Sequence, residues 1–179
     1  MEYTINIKGR LMDLGTPQVM GILNVTPDSF YSGSRKQTEE EIANRANQII
    51  AEGGSIIDVG AFSTRPGADE VSEEEEGRRL KFALDIVRRE QPDAAISVDT
   101  YRPTLARKCI EEWGADIIND VSEGGITGIA NVPLHQQEAE YPEMFRVVGE
   151  LKVPYILMSV QPTLAAMMKG FAREVQQLR

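Results

Sequence analysis

Polar residues stand at or just after the carboxyl ends of several short apolar runs, and their chemistry is the first indication of function in this sequence. They are Asn24, Asp58, Asp99, Asn119 and Ser159. In parallel α/β folds the ligand lies beyond the carboxyl ends of the strands, so such side chains can face it. A carboxylate accepts hydrogen bonds from N–H groups, and an amide both donates and accepts them. We therefore expect these residues to line a binding site at one edge of a parallel sheet.

The stretch 20–30 contains the clearest of these junctions. It begins as an apolar run and changes to Asn, Thr, Pro, Asp and Ser, which is typical of a buried strand that passes into a polar loop. Asn24 and Thr26 are placed to face a ligand there. Three other polar residues leave two interpretations open, a binding residue or a former of a turn or helix cap: Asp28, Asp58 and Thr64.

Start and stop signals predict helices between the strands. Thr38 and Glu41 have the spacing of a capping box, and the helix that begins there ends at Gly53. Ser72 caps a second helix. Its acidic run, 73–76, is interpreted as a solvated first turn that the helix dipole favours.

The later part of the chain follows the same pattern. Pro103 is suited to the first position of a third helix, and Gly114 closes that helix. Cys109 and Trp113 lie four residues apart on it and are predicted to belong to the core. Further helical patterns cover residues 141–151 and 163–179.

Strands that alternate with amphipathic helices predict an α/β fold with a parallel sheet and right-handed crossovers. The predicted strands are 19–23, 55–59, 94–98, 116–118 and 153–158. Their ring of polar ends favours a (β/α)8 TIM barrel over an open doubly wound sheet. Since a full barrel takes about 250 residues, we expect one domain, residues 1–179, that is an incomplete barrel with about five of the eight units. An N-terminal β-hairpin, residues 1–15, is expected to cover one end of its core.

Composition limits the possible partners. The formal net charge of −9 argues against nucleic acid and anionic membranes, because those partners require clustered Lys and Arg. The single cysteine, Cys109, excludes an internal disulfide and a multi-thiolate metal site. The sequence shows no secretion signal and no apolar run long enough to span a bilayer. We expect a cytoplasmic protein that acts on small molecules.

Four motifs, taken together and in this order, resemble those of the dihydropteroate synthase family. They are Asn24-Val25-Thr26-Pro27-Asp28-Ser29-Phe30, Ile57-Asp58-Val59-Gly60-Ala61-Phe62-Ser63-Thr64-Arg65-Pro66-Gly67, Ser97-Val98-Asp99-Thr100 and Ile117-Ile118-Asn119-Asp120. The resemblance covers the whole chain and matches it to the N-terminal two thirds of that enzyme. It implies a transferase of folate biosynthesis that joins 6-hydroxymethyl-7,8-dihydropterin diphosphate to p-aminobenzoate, releases pyrophosphate and is the target of sulfonamides.

The resemblance also implies a role for each matching residue. Asp99 and Asn119 would bind the pterin, and Asn24 would ligate a magnesium ion at the diphosphate. Thr64 and Arg65 would stabilise charge on the departing diphosphate, and together with Asn24 and Asp99 they form the predicted catalytic set. The residues expected on the two loops and around p-aminobenzoate are Thr26, Asp28, Phe30, Ser63, Thr64, Arg65 and Pro66. The resemblance implies a homodimer for the whole enzyme.

The implied reaction is a substitution at the exocyclic methylene carbon, in which the diphosphate leaves early and the arylamine then attacks. No side chain need act as a nucleophile, so catalysis rests on electrostatics, orientation and exclusion of water. Two alternatives are a pterin-dependent methyltransferase of the same superfamily and a pterin-binding chain without catalytic activity. The segment Ser63–Pro66 argues against the methyltransferase, because that reaction has no use for an arginine that binds diphosphate.

Overall fold

The computed structural model describes residues 3–25, 35–62, 71–122, 143–158 and residue 168. Their secondary structure alternates between strands and helices after an initial hairpin. In chain order the elements are β1 (Thr4–Ile7), β2 (Arg10–Asp13), β3 (Met20–Asn24), α1 (Arg35–Ala51), β4 (Ile56–Gly60), α2 (Glu73–Glu90), β5 (Ala95–Asp99), α3 (Pro103–Glu111), β6 (Ile117–Asp120), α4 (Glu143–Leu151) and β7 (Tyr155–Leu157). Within these ranges no helix is both long and apolar enough to cross a bilayer.

The main sheet confirms the predicted fold class. Five strands pair in parallel in the order β3-β4-β5-β6-β7, so each strand lies beside the next one in the chain. A doubly wound sheet would reverse its strand order at a switch point, whereas a (β/α)8 barrel does not. The chain therefore forms five consecutive strands of an incomplete barrel. The helix predicted over 163–179 lies outside the described residues, except for Met168.

The two faces of the sheet have different chemistry because side chains alternate along each strand. Residues on one face pack against the helices and form the large core, as Ile57, Val59 and Val98 do. The opposite face of β4 carries Ile56 and Asp58. It is apolar at Ile56, near the amino end of the strand, and polar at Asp58, nearer the carboxyl end. This face is the interior of the incomplete barrel.

The hairpin β1-β2 covers the amino-terminal end of the barrel interior. Ile7 of β1 is buried against Ile56, Ala95 and Ile117 of the main sheet. Lys8, at the hairpin turn, forms an ion pair of 2.9 Å with the buried carboxylate of Asp116. The hairpin thus has the role predicted for it, and the carboxyl ends of the strands are the polar end of the interior.

The helix starts agree with the sequence in two of three cases. The Ser72 side chain accepts a hydrogen bond of 3.2 Å from the Glu75 amide, and Pro103 occupies the first turn of α3. The capping box predicted at Thr38 is wrong. Because α1 already includes Arg35, Thr38 lies inside the helix, where it is buried and cannot be the N-cap.

The acidic run at the start of α2 is not entirely solvated, which corrects the sequence interpretation. Glu73 and Glu74 are exposed, as predicted. Glu76 is 0% exposed and accepts a hydrogen bond of 2.6 Å from the Thr100 hydroxyl. The run of four acidic residues does not indicate which of them is buried. Glu76 enters the core only because its position on α2 faces the sheet. Cys109 is buried in that core, and Trp113 packs against it, as predicted.

Candidate functional site

The predicted site residues lie in one row across the carboxyl ends of the strands. Asn24 is paired in register with Gly60, Gly60 with Asp99, and Asp99 with Asn119. Residues that are paired in register point to the same face of a sheet. The sheet therefore brings Asn24, Asp99 and Asn119 together at the polar end of the barrel interior, as the sequence predicted.

Gly60 leaves open space beside two of these side chains. A Cβ atom placed on Gly60 would lie 3.0 Å from Oδ1 of Asn24 and 3.5 Å from Oδ2 of Asp99. The missing side chain thus gives both polar groups the space above β4. From the sequence, Gly60 was interpreted only as the start of a loop. The order Asp-Val-Gly could have indicated its role, because side-chain alternation places Gly60 on the same face as Asp58.

Asp58 lies one layer deeper in the interior than the row of Asn24, Asp99 and Asn119. Its Oδ2 accepts a hydrogen bond of 3.1 Å from Nδ2 of Asn119. Both residues are buried, with 5% of Asp58 and 4% of Asn119 exposed to solvent. Asp58 therefore orients the Asn119 amide from below.

Three buried oxygen atoms at this end of the sheet have no hydrogen-bond partner among the described residues: Oδ1 of Asp58, Oδ1 of Asp99 and Oδ1 of Asn119. All three are acceptors. Leaving a buried polar atom unpaired costs about 1–3 kcal/mol, so such groups cluster where a ligand or water completes them. The complementary ligand presents several N–H or O–H donors on one edge.

Burial and repulsion between carboxylates set the electrostatics of the site. Burial, followed by the negative charges of Asp58, Asp120 and Glu76, raises the pKa of Asp99 from 3.8 to about 7. Burial likewise raises the pKa of Asp58, while the hydrogen bonds from Ser97 and Asn119 act against that rise. A ligand that donates hydrogen bonds or carries positive charge would stabilise the ionised form of Asp99.

Asp120 follows Asn119 in the fourth motif, yet its side chain serves the opposite face of the sheet. Its Oδ2 accepts from the Tyr155 hydroxyl at 2.7 Å, and its Oδ1 accepts from the Ser122 hydroxyl at 2.6 Å. These bonds tie the end of β6 to β7 and to the residues that follow β6. The motif therefore combines one residue that faces the site with one that supports the strand end.

Seven predicted site residues, and the strand-end residue Ser159, lie outside the described residues. The seven are Thr26, Asp28, Phe30, Ser63, Thr64, Arg65 and Pro66. The last described residues before these two segments are Val25, which directly follows β3, and Phe62, which lies two residues beyond the end of β4. Both segments therefore start from the rim that carries Asn24 and Asp99.

Asn24 has the chemistry expected of a single magnesium ligand. Its side chain is exposed at the rim, and its amide oxygen is a hard donor next to the space above Gly60. Mg²⁺ usually keeps several waters and takes one or two protein oxygens together with substrate phosphates. Within the described ranges no three His, Cys, Asp or Glu residues form a metal-binding group. The residues present fit a metal held mainly by substrate and water.

Comparison with known proteins decides the family. A family model described as "Pterin binding enzyme" matches residues 20–178. The chain belongs to the pterin-binding enzyme family. The row of Asn24, Asp99 and Asn119 lies at the strand ends of a chain of this family, and the unpaired acceptors in it are of the kind that the N–H groups of a pterin could satisfy.

The relatives within this family confirm the resemblance seen in the motifs. Dihydropteroate synthase of Streptococcus pyogenes is 40% identical over 153 residues, which are 86% of this chain and 52% of that protein. A mitochondrial folate synthesis bifunctional protein of Arabidopsis thaliana is 42% identical over 164 residues, 90% of this chain and 27% of that protein. The chain therefore spans about half the length of the bacterial relative.

A solved structure agrees with these relatives. Dihydropteroate synthase of Xanthomonas albilineans, solved with 4-aminobenzoic acid, superposes with a TM-score of 0.78 at 32% identity. The match covers 98% of this chain and 61% of that protein. The predicted barrel fold is thus supported along nearly the whole chain.

Proposed function

We propose that the protein is a dihydropteroate synthase that joins 6-hydroxymethyl-7,8-dihydropterin diphosphate to p-aminobenzoate. The observation that carries the proposal is the presence of unpaired acceptor oxygens on Asp99 and Asn119, in the row that faces the ligand. A pterin presents an amino group and ring N–H groups along one edge, so it supplies the donors that these oxygens lack. The family match and the ligand named for the Xanthomonas structure support the two substrates.

In the proposed reaction the bond between the exocyclic methylene carbon and the diphosphate oxygen breaks, and its electron pair leaves with the diphosphate. The pterin ring delocalises the resulting positive charge. The carboxylate of Asp99 lies at a strand end and that of Asp58 one layer below it, and both would favour that charge electrostatically. The arylamine nitrogen then bonds to the carbon and loses a proton. Asp99 and Asn119 would hold the ring in position throughout, which lowers the entropic part of the barrier.

The diphosphate side of the site is proposed from the sequence. Arg65 is the only basic residue of the segment 62–70, and its guanidinium is suited to a departing diphosphate. Asn24 would supply one oxygen to a bound Mg²⁺, whose charge would stabilise the leaving group. Thr64 would add a hydroxyl donor next to Arg65.

Calorimetric titration of the full-length protein with the pterin diphosphate and Mg²⁺ tests the pterin site. Asp99→Ala should lose the binding seen in the wild type, because it removes one of the unpaired acceptors. Asp85→Ala, which removes an exposed carboxylate on α2, is the matched control and should bind as the wild type does. Equal binding by the wild type and Asp99→Ala would contradict the proposed site.

Product formation tests the reaction itself. With p-aminobenzoate added, the wild type should release pyrophosphate and form 7,8-dihydropteroate in equal amounts. Pterin binding without either product would favour the alternative of a pterin-binding protein that does not catalyse this reaction. Transfer of a methyl group from a folate to a cobalamin protein would favour the methyltransferase.

We also propose a cytoplasmic homodimer. The single cysteine supports a reducing compartment, although one relative carries the word mitochondrial in its name. The dimer rests on the motif resemblance alone. Light scattering of the full-length protein gives its mass in solution, and a mass equal to one chain would contradict the dimer.

A further inference from the structure

Thr100 joins three segments of the chain at the carboxyl end of β5, directly after Asp99. Its amide donates to the carbonyl of Asn119 on β6 at 3.1 Å. Its hydroxyl donates to Oε1 of Glu76 on α2 at 2.6 Å and accepts from the Arg102 amide at 3.3 Å. Thr100 therefore connects the strand end that carries Asp99 to the neighbouring strand, to a helix behind the sheet and to the start of α3.

The backbone and the side chain of Thr100 serve different sides of the sheet. Because side chains alternate along a strand, Asp99 faces the barrel interior and Thr100 faces α2. Thr100 is 0% exposed. Its backbone bond to Asn119 lies directly beyond the register pair of Asp99 and Asn119, so it closes the ladder between β5 and β6 at the candidate site. The spacing of these two site residues thus depends on a residue whose own side chain lies outside the site.

Glu76 is a fixed anchor for the Thr100 hydroxyl. It is completely buried, and its Oε2 lies 3.2 Å from Nε of Arg102. Arg102 is held in turn, because its Nη2 donates to the carbonyl of Val71 at 2.6 Å. Both hydrogen-bond partners of the hydroxyl are therefore restrained by further contacts, which leaves Thr100 little freedom to move.

Stability alone is a weak reason for a buried carboxylate at this position. Taking charges out of water costs about as much as their pairing returns, and apolar residues often stabilise such a position equally well. A charged hydrogen bond, however, also fixes a distance and a direction. The bond from Thr100 to Glu76 does so at the end of β5 that carries Asp99.

We propose that Thr100 is a positioning residue, which is anchored by Glu76 and fixes the spacing of Asp99 and Asn119 in the candidate pterin site. The inference rests on the proposed function, because it assigns both side chains to one ligand. Asp99 and Asn119 each present an unpaired acceptor, and a rigid ligand with two donors on one edge binds both only at a set spacing. Neither Thr100 nor Glu76 need touch the ligand.

Thr100→Val and Thr100→Ser separate the role of the hydroxyl from that of side-chain size. Valine keeps the shape and removes the donor to Glu76, whereas serine keeps the donor and removes a methyl group. In the full-length protein we expect the Kd for 6-hydroxymethylpterin, which lacks the diphosphate, to rise roughly tenfold in Thr100→Val, as expected for a lost charged hydrogen bond. Thr100→Ser should bind within about twofold of the wild type, because it retains the hydroxyl.

Thr104→Val is the matched control. Thr104 is an exposed threonine on α3, and its hydroxyl also donates to a glutamate of α2, Glu73. This variant removes the same kind of bond away from the strand ends and should leave the pterin Kd unchanged. Asp116→Asn controls for stability, because it weakens a buried ion pair with Arg88 at the amino-terminal end of the sheet. It should lower the melting temperature and also leave the pterin Kd unchanged.

Amide hydrogen exchange of the ligand-free protein gives a readout that does not depend on pterin binding. The amide of residue 100, relative to its intrinsic rate, should exchange faster in Thr100→Val than in Thr104→Val at equal global stability. Equal protection in these two variants would overturn the positioning role.

Three binding results would also overturn it: an unchanged Kd in Thr100→Val, an equal loss of affinity in Thr100→Ser, or an equal loss in Asp116→Asn. If the folded wild type binds no pterin, the proposed function is refuted. The exchange comparison then decides by itself whether Thr100 holds the end of β5 against β6.

Discussion

Asn119 donates a hydrogen bond of 3.1 Å from Nδ2 to Oδ2 of Asp58, across 61 residues of sequence. This bond fixes which end of the Asn119 amide faces the ligand. With Nδ2 directed at Asp58, Oδ1 is left as an unpaired acceptor in the site. An amide with both ends free would offer either a donor or an acceptor to a ligand, whereas this one is committed to accepting.

A double-mutant cycle measures the coupling of Asp58 and Asn119. Asp58→Ala should weaken binding of 6-hydroxymethylpterin roughly tenfold or more, although Asp58 lies below the row that faces the ligand, because Asn119 loses its orientation. The double variant with Asn119→Ala should lose little more than Asn119→Ala alone. Strictly additive losses in calorimetric titrations would mean that the two side chains act independently.

Ligand binding should depend on pH through Asp99. The pKa of Asp99 is about 7, and a pterin that donates hydrogen bonds prefers the ionised carboxylate. The Kd of 6-hydroxymethylpterin should therefore rise by about tenfold for each pH unit below this pKa. Asp99→Asn should bind more weakly and remove this slope, which also controls for titration of the ligand. The same slope in both proteins would assign the pH dependence to another group.

The folding stability of the protein should also depend on protonation of Asp99. Low pH should favour folding, whereas it should disfavour ligand binding. The folded-state pKa of Asp99 lies above its ordinary value of 3.8, so the folded protein binds the proton more tightly than the unfolded chain. This contribution to stability is present at low pH and is lost as the pH rises through about 7. Asp99→Asn should thus be more stable than the wild type at about pH 8 and gain nothing at about pH 4. Urea unfolding at both pH values measures the difference, and a gain of equal size at both would exclude a titration effect.

Gly60→Ala should weaken binding more than it affects folding. The added Cβ would stand 3.0 Å from Oδ1 of Asn24 and displace it, whereas Oδ2 of Asp99, at 3.5 Å, would be in ordinary contact with it. A shift of a few tenths of an ångström at Asn24 should cost roughly tenfold in affinity for the pterin diphosphate with Mg²⁺. Gly149→Ala on α4 is the control, because nothing lies within 4 Å of its added Cβ. It should raise stability by about 0.5–1 kcal/mol and leave binding unchanged. Unchanged binding in Gly60→Ala would show that the space above Gly60 is not used.

Loss of the Ser72 cap should lower the stability of α2. Ser72→Ala removes the acceptor for the Glu75 amide and should cost about 1 kcal/mol of free energy of unfolding. Ser72→Gly should cost only a few tenths of that value, because glycine is itself tolerated at the N-cap. Chemical denaturation gives both numbers, and an unchanged free energy of unfolding in Ser72→Ala would mean that the hydroxyl contributes nothing at this position.

Local signals predicted most of the fold. The alternation of apolar runs and amphipathic helices indicated a parallel α/β sheet, and Ser72 and Pro103 marked two helix starts correctly. Thr38 shows the limit of a local signal. It has the spacing of a capping box, but the helix already includes Arg35, and Thr38 is a buried residue inside it.

The sequence alone determined which residues form the row at the strand ends. Asn24, Asp99 and Asn119 each stand at the end of an apolar run, and in a parallel sheet such residues lie on the same face at the same edge. Only the tertiary structure decided that Asp58 orients Asn119, that Glu76 is buried against Thr100, and that Gly60 leaves space for two side chains. Each of these depends on contacts between segments far apart in the chain. Burial and hydrogen bonding at such contacts are properties of the packed fold, and no local pattern of residues encodes them.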